Sequence, residues 1–366
     1  MEPGWDADDL WSSEEVTLGS DSQIEVAGPD DIPDGEFDPS DIDATSIISK
    51  FGTIASSIYR HATIDIGMEH VGDLVFSIHL SYACRIVLPH CKDRLDPIPN
   101  DETEQNREEI KHIAFLEITR GKYYFAPIGD NPQKIIDLGT GMGTWAIEVA
   151  DMFPSAQVVG CDLSPIQPFW VPSNVRFIID DIGDDWAHGD NWDFVHARQV
   201  LPTIKDPARL CEQSFSHIKP GGWIETQDFG AVMKCDDGTL REDSMLIEFT
   251  TLVTQALAPR GINWIVGNDM EEILRNAGFV NIQYKKFKTP IGMWPKAKRL
   301  RLVGLYMKSA FADLIDALVP RLFPSLSKSP QQIKEFLAGV QSELLTTQAH
   351  IYLDYYFWYA QKPLAN

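Results

Sequence analysis

Basic residues are scarce in this 366-residue sequence: 31 Lys and Arg stand against 54 Asp and Glu, a formal charge of −23. The shortage is uneven, because residues 1–45 hold fifteen acids and no Lys or Arg, and subtracting those fifteen leaves −8 for the remainder. Bulk acidity of this kind disfavours nucleic acid and anionic membranes as partners. Cysteine is sparse as well. The five (Cys84, Cys91, Cys161, Cys211, Cys235) form no C-x-x-C pair and no ligand spacing with histidine. That excludes a disulfide framework and a zinc site, and it fits a reduced, cytoplasmic compartment. Long apolar runs are missing. The longest charge-free one, Leu74 to Cys84, falls far short of the roughly 20 residues that cross a bilayer. No basic and then apolar leader opens the chain, so a soluble protein with no membrane partner is expected. With Pro29, Pro33 and Pro39 scattered through it, the acidic stretch 1–45 reads as a disordered tail.

What is present in quantity is core-forming material, 44% hydrophobic residues with 18 Phe, 10 Trp and 10 Tyr. The chain is organised around Lys134 to Trp145. An apolar run ends in Asp137, a turn follows with Gly139, Gly141 and Gly143, and a helical pattern starts at once. Strand, glycine turn and helix in that order open a Rossmann-like unit, where glycine lets the backbone approach a ligand. A dinucleotide fingerprint would need G-x-G-x-x-G; here the third glycine falls one residue early, which argues against an oxidoreductase. The Asp-x-Gly-x-Gly-x-Gly form resembles motif I of class I S-adenosylmethionine (SAM) methyltransferases. A second apolar run ends in Asp162, an acid placed to accept from both hydroxyls of a ribose. A third ends in Asp180-Asp181-Ile182; in the methyltransferase pattern Asp181 would take the adenine amino group and the Ile182 amide a ring nitrogen.

Further runs continue the alternation. Asp193 to Arg198 and Trp223 to Asp228 read as strands four and five, Val280 to Phe287 as strand six, and His350 to Gln361 as strand seven. Helices are expected from Asn100 to about Arg120, over 207–217, 242–258 and 268–276, and over 47–59. Histidines 61, 70, 79 and 90 recur at intervals that suit no helix face or metal cluster and are read as structural.

Several phrases resemble the fungal LaeA-type (TAM or UMTA) methyltransferases of secondary metabolism. They include Gly-Lys-Tyr-Tyr-Phe-Ala-Pro-Ile (121–128), Asp-Leu-Ser-Pro-Ile-Gln-Pro (162–168), Trp-Val-Pro-Ser-Asn-Val (170–175) and Lys-Pro-Gly-Gly-Trp-Ile-Glu (219–225). The resemblance runs from about 97 to 363. One interval departs from it: Ile64 to Cys91 lacks the family's Gly-Arg-x-Tyr-His phrase, as an insertion or a mistaken exon boundary.

The resemblance implies an α/β fold with a seven-stranded, mostly parallel sheet, an antiparallel last strand and a helical insertion between strands six and seven. It divides the chain into the tail 1–45, an N-terminal helical cap over 46–125 and a methyltransferase domain over 126–366, with 295–349 as a lid. It implies SAM as cofactor, held by Tyr124, Asp137, Gly139, Gly141, Gly143, Asp162, Leu163, Asp181, Ile182 and Arg198. No catalytic base is assigned. His196, Asp228 and His350 are candidates, although the first and last better suit hydrogen-bonded structural histidines. Two functions stay open: a pathway enzyme methylating a hydroxyl of a small natural product, or a nuclear regulator with a protein partner. The basic cluster from Lys285 to Arg301 reads as a solvated face, not an import signal.

Overall fold

The computed structural model describes residues 24–26, 102–268 and 270–365. The expected helix over 47–59, the segment with the four histidines and most of the tail and cap lie outside the described residues. Seven strands form one sheet: β1 (Lys134–Leu138), β2 (Gln157–Asp162), β3 (Val175–Ile179), β4 (Trp192–Arg198), β5 (Ile218–Lys234), β6 (Val280–Pro290) and β7 (Tyr352–Gln361). Their order is β3-β2-β1-β4-β5-β7-β6, and β7 runs antiparallel to both neighbours. The order reverses between β1 and β4, the switch point where open α/β sheets bind ligands beyond their carboxyl ends.

Around the sheet lie α1 (Glu102–Ile118), α2 (Thr144–Met152), α3 (Pro207–His217), α4 (Met245–Leu257), α5 (Met270–Asn276), α6 (Lys298–Leu322) and α7 (Pro330–Thr346). Local chemistry sets their starts. Asp206 caps α3 by accepting from the Arg209 amide, with Pro207 in the first turn. Ser329 and Gln332 form a capping box on α7.

The core divides by face. Trp145, Val149 and Ala150 of α2 pack with Val158 and Phe194 on one face of the sheet. Leu210 and Cys211 of α3 and Leu274 of α5 pack with Val195 and Ile224 on the other. The insertion builds a third core with α1 and α4, in which Phe311 and Leu318 are buried and Tyr306 and Leu314 partly so. Its apolar stripe is thus mainly packing.

Three residues of the acidic tail are docked rather than free. Ile24 is buried, the Glu25 carbonyl accepts from the Lys296 amide at 2.8 Å, and Val26 bridges Pro295. The basic cluster also differs from a simple solvated face. Arg299 donates to the Glu117 and Ile118 carbonyls and so caps α1, and Arg301 donates to the Pro295 and Lys296 carbonyls. No helix among the described residues is long and apolar enough to cross a membrane.

Candidate functional site

Three glycines with positive φ shape the turn after β1, and each has its own reason. A Cβ on Gly139 would meet Val200 at 2.2 Å, and one on Gly143 would meet the Phe177 ring at 2.3 Å. Gly141 has nothing within 4 Å of that position. Its missing side chain therefore leaves space in a cleft also lined by Asp137, Thr140, Glu108, Glu109, His112 and Arg198.

Asp137, at the floor of this cleft, is buried and held at both oxygens. His196 Nδ1 lies 2.7 Å from Oδ1, and the Thr140 hydroxyl donates to Oδ2 at 2.6 Å. His196 is wholly buried, and its ring stacks on Trp145 with centroids 3.7 Å apart. Burial pushes its pKa down, with Asp137 opposing. Its Nδ1 is engaged by Asp137, and its Nε2 is buried without a hydrogen-bond partner among the described residues, so the ring presents no nitrogen to solvent and sits as a packed partner of Asp137. Trp145 packs behind the turn and donates to the Tyr123 carbonyl at 3.0 Å.

Asp162 is tied to the same turn. Its Oδ2 accepts from the Gly141 amide at 2.7 Å and its Oδ1 from the Ser164 amide at 2.9 Å. Gln167 closes this arrangement by donating to the Gly141 carbonyl at 2.6 Å and the Ser164 carbonyl at 2.8 Å. Leu163 follows Asp162 and is half-buried, and Asp181 follows β3, its Oδ1 accepting from the Gly183 amide at 2.8 Å. Ile182 packs partly against the core beneath β1, β2 and β4. Asp137 and Asp162 thus lie at the carboxyl ends of β1 and β2, and Asp181 just beyond that of β3, on three adjacent strands.

Tyr124 does not belong with these acids. Its ring packs on Phe153 and Phe194, toward the far end of α2. Its neighbour Tyr123 lies beside His112 instead, with ring centroids 6.3 Å apart. The arm they belong to is fixed by Glu225, which accepts from the Phe125 and Ala126 amides at 2.7 Å each. Burial raises the Glu225 pKa to about 7, with those amides pulling against it.

Arg198, at the tip of β4, donates to His112 Nδ1 at 2.9 Å, and His112 Nε2 lies 2.6 Å from Glu148 Oε2. Lys111, one residue earlier on α1 and buried, donates to Glu108 and to Gln199. In sequence α1 shows itself only as a charged helix of the cap. The available signal was its pattern: Arg107, Lys111 and His112 are buried along with Ile113, Ala114 and Phe115. Such a helix needs polar partners on one face and an apolar core on another.

The two remaining candidates for the base separate widely. Asp228 is buried on the opposite face of β5 from Glu225 and Gln227. Burial raises its pKa to about 8; the Leu201 and Gln199 amides and Lys111 pull it back. Neither carboxylate oxygen makes a hydrogen bond of good geometry. His350 precedes β7 and pairs with Asp237 at 2.5 Å, past the end of β5 at Lys234. It is seven residues of strand away from the Gln227 level, where β5 meets Arg198, and is no part of the cleft.

An open glycine position beside acids at adjacent strand ends fits a nucleoside cofactor carrying an amino-acid end. No cluster suited to a metal ion occurs among the described residues. A family model for a methyltransferase domain matches residues 110–284. Methyltransferase pytC of Aspergillus terreus is 37% identical over 269 residues, covering 73% of this chain and 83% of that protein. Secondary metabolism regulator LAE1 of Cochliobolus heterostrophus is 31% identical over 276 residues, covering 72% and 89%. Among solved structures, phosphoethanolamine N-methyltransferase 2 of Haemonchus contortus, in complex with S-adenosyl-L-methionine, aligns with a TM-score of 0.41 at 21% identity. That alignment covers 69% of this chain and 52% of that one.

Proposed function

The chain belongs to the SAM-dependent methyltransferases of fungal secondary metabolism, and on that premise we propose that it methylates a hydroxyl of a small natural product. SAM would supply a methyl group from its sulfonium and leave as the neutral thioether S-adenosylhomocysteine, while the acceptor oxygen gains the O–CH₃ bond and gives up its hydroxyl proton to solvent. The chain's own residues bind, orient and exclude water. Gly141 leaves room for the cofactor, Asp162 would hold the ribose, and Asp181 and the Ile182 amide would read the adenine. Positioning supplies most of what such a displacement needs.

The observation that carries this reading is the Asp162 carboxylate bonded to the Gly141 amide, which joins the ribose acid and the glycine turn into one cradle. The choice between a pathway enzyme and a regulator draws on likeness. The chain is 37% identical to a protein named methyltransferase pytC and 31% identical to a named regulator of secondary metabolism. That second likeness, to a protein named as a regulator, supports the alternative; on that reading the chain would act with a protein partner in the nucleus, and on the pathway reading in the cytoplasm. Metabolite extracts from a gene-deletion strain, incubated with the purified protein and SAM, distinguish them. A single metabolite that gains one methyl group supports the pathway enzyme. No methylated product in the extract, together with broadly altered transcription of biosynthetic genes in the deletion strain, overturns it in favour of the regulator.

A further inference from the structure

Helix α1 carries none of the strand-tip acids or turn glycines, yet it closes one side of the cleft. Glu108, Glu109 and His112 line it together with Asp137, Gly141 and Arg198. His112 is 2% exposed and joins three elements. On one side its Nδ1 receives the Arg198 guanidinium of β4, and on the other its Nε2 meets Glu148 of α2. A guanidinium only donates, so Nδ1 must be the acceptor and the ring proton sits on Nε2, where Glu148 accepts it. The two partners thereby assign a neutral ring in a single tautomer.

Arg198 gives His112 one of its N–H groups and rests over the Phe115 ring, 5.6 Å from its centroid. It forms no ion pair with a carboxylate among the described residues. Most of a planar donor fork is left at the cleft, and its natural complement is a carboxylate or phosphate held by two parallel bonds. A methionine moiety ends in a carboxylate. Resting on the methyltransferase reading above, we infer that His112 is the positioning residue that holds Arg198 for the carboxylate of the cofactor's amino-acid end. Helix α1 is then part of the cofactor site.

Protonation would undo this device. A proton on Nδ1 turns the acceptor into a donor and sets two cations side by side. The groups facing His112 are Arg198 on β4, Glu148 on α2, Asp137 on β1, Tyr123 in the arm, and Glu108 and Glu109 on its own helix. Burial and then Arg198 push the ring's pKa below 6.5, against Glu148 and Asp137. The grip on a carboxylate is present above that lowered pKa and lost beneath it.

The test is calorimetry of the full chain at about pH 5 to 8 with two probes. S-adenosylhomocysteine carries the amino-acid end and 5′-methylthioadenosine lacks it. His112→Phe should bind the first about tenfold more weakly, the scale of a charge-assisted hydrogen bond, and the second unchanged. His112→Asn, whose Oδ1 can accept from Arg198, should keep near-native affinity and lose the acid limb of the pH profile. Glu148→Gln should move that limb to lower pH. The inference is overturned if His112→Phe weakens both probes equally or neither, or if the acid limb persists in His112→Asn. Should His112→Phe fail to fold, the pH profiles of the wild type, His112→Asn and Glu148→Gln decide. A wild-type protein that binds neither probe refutes the methyltransferase reading instead.

Discussion

His196 and Asp137 meet through a 2.7 Å hydrogen bond on neighbouring strands, with the imidazole flat against Trp145 and wholly buried. The pair places the histidine beneath the glycine turn, where it holds one oxygen of the acid. His196→Phe is expected to cost about 1–3 kcal/mol of stability by leaving Asp137 short of a buried partner. Urea denaturation reads that loss. The pH profile of kcat in His196→Asn should retain any limb seen in the wild type; a limb that vanishes would make the histidine the base after all.

Asp162 is joined to the glycine turn, so its removal should damage the nucleoside site as a whole. Asp162→Ala is expected to weaken S-adenosylhomocysteine binding by roughly 1.5–3 kcal/mol, the scale of hydrogen bonds to a charged group. NAD should not bind to either protein. Calorimetry that finds NAD binding, or unchanged affinity in the variant, contradicts the assignment.

Asp228 makes stability depend on pH. Its carboxyl has a pKa of 3.8 in an open chain and about 8 in the fold. Below the first value both states hold the proton. Between the two values only the folded chain keeps it, so stability falls as pH rises, by about 1.4 kcal/mol per unit at most. Above the second value both states are ionised and the fall stops. Asp228→Asn should flatten this slope and raise the melting temperature at pH 8 relative to the wild type. An unchanged slope would show that the carboxyl is already ionised in the folded protein.

Docking of Ile24 changes what the acidic tail is expected to do. A variant starting at residue 23 should melt like the full chain, because the charged stretch before it supplies no apolar periodicity. Ile24→Ala should lower stability by about 1–2 kcal/mol, below the fully buried range since a short segment can adjust. Equal melting temperatures for Ile24→Ala and the wild type would mean that these residues rest on the domain without supporting it.

By itself the sequence determined whatever depends on short spacing. Alternation and glycine placement announced β1, the turn and α2, and acids at the ends of apolar runs marked Asp137, Asp162 and Asp181. Those relations are local in the chain, so a sheet with this strand order brings them to one edge automatically. The antiparallel β7 and the helical insertion came from resemblance and took their expected places. Tertiary structure decided what joins distant residues. His112, Glu148 and Arg198 are separated by 36 and 86 residues, and no periodicity links them. Tyr124 and Tyr123 differ by one position, so only the path of the arm pinned by Glu225 shows which ring lies beside His112. His350 and Asp228 both sat in strand-like runs with suitable chemistry. The length of β5 carried the first away from the site, and the pleat turned the second into the opposite core, because successive side chains on a strand point to opposite faces.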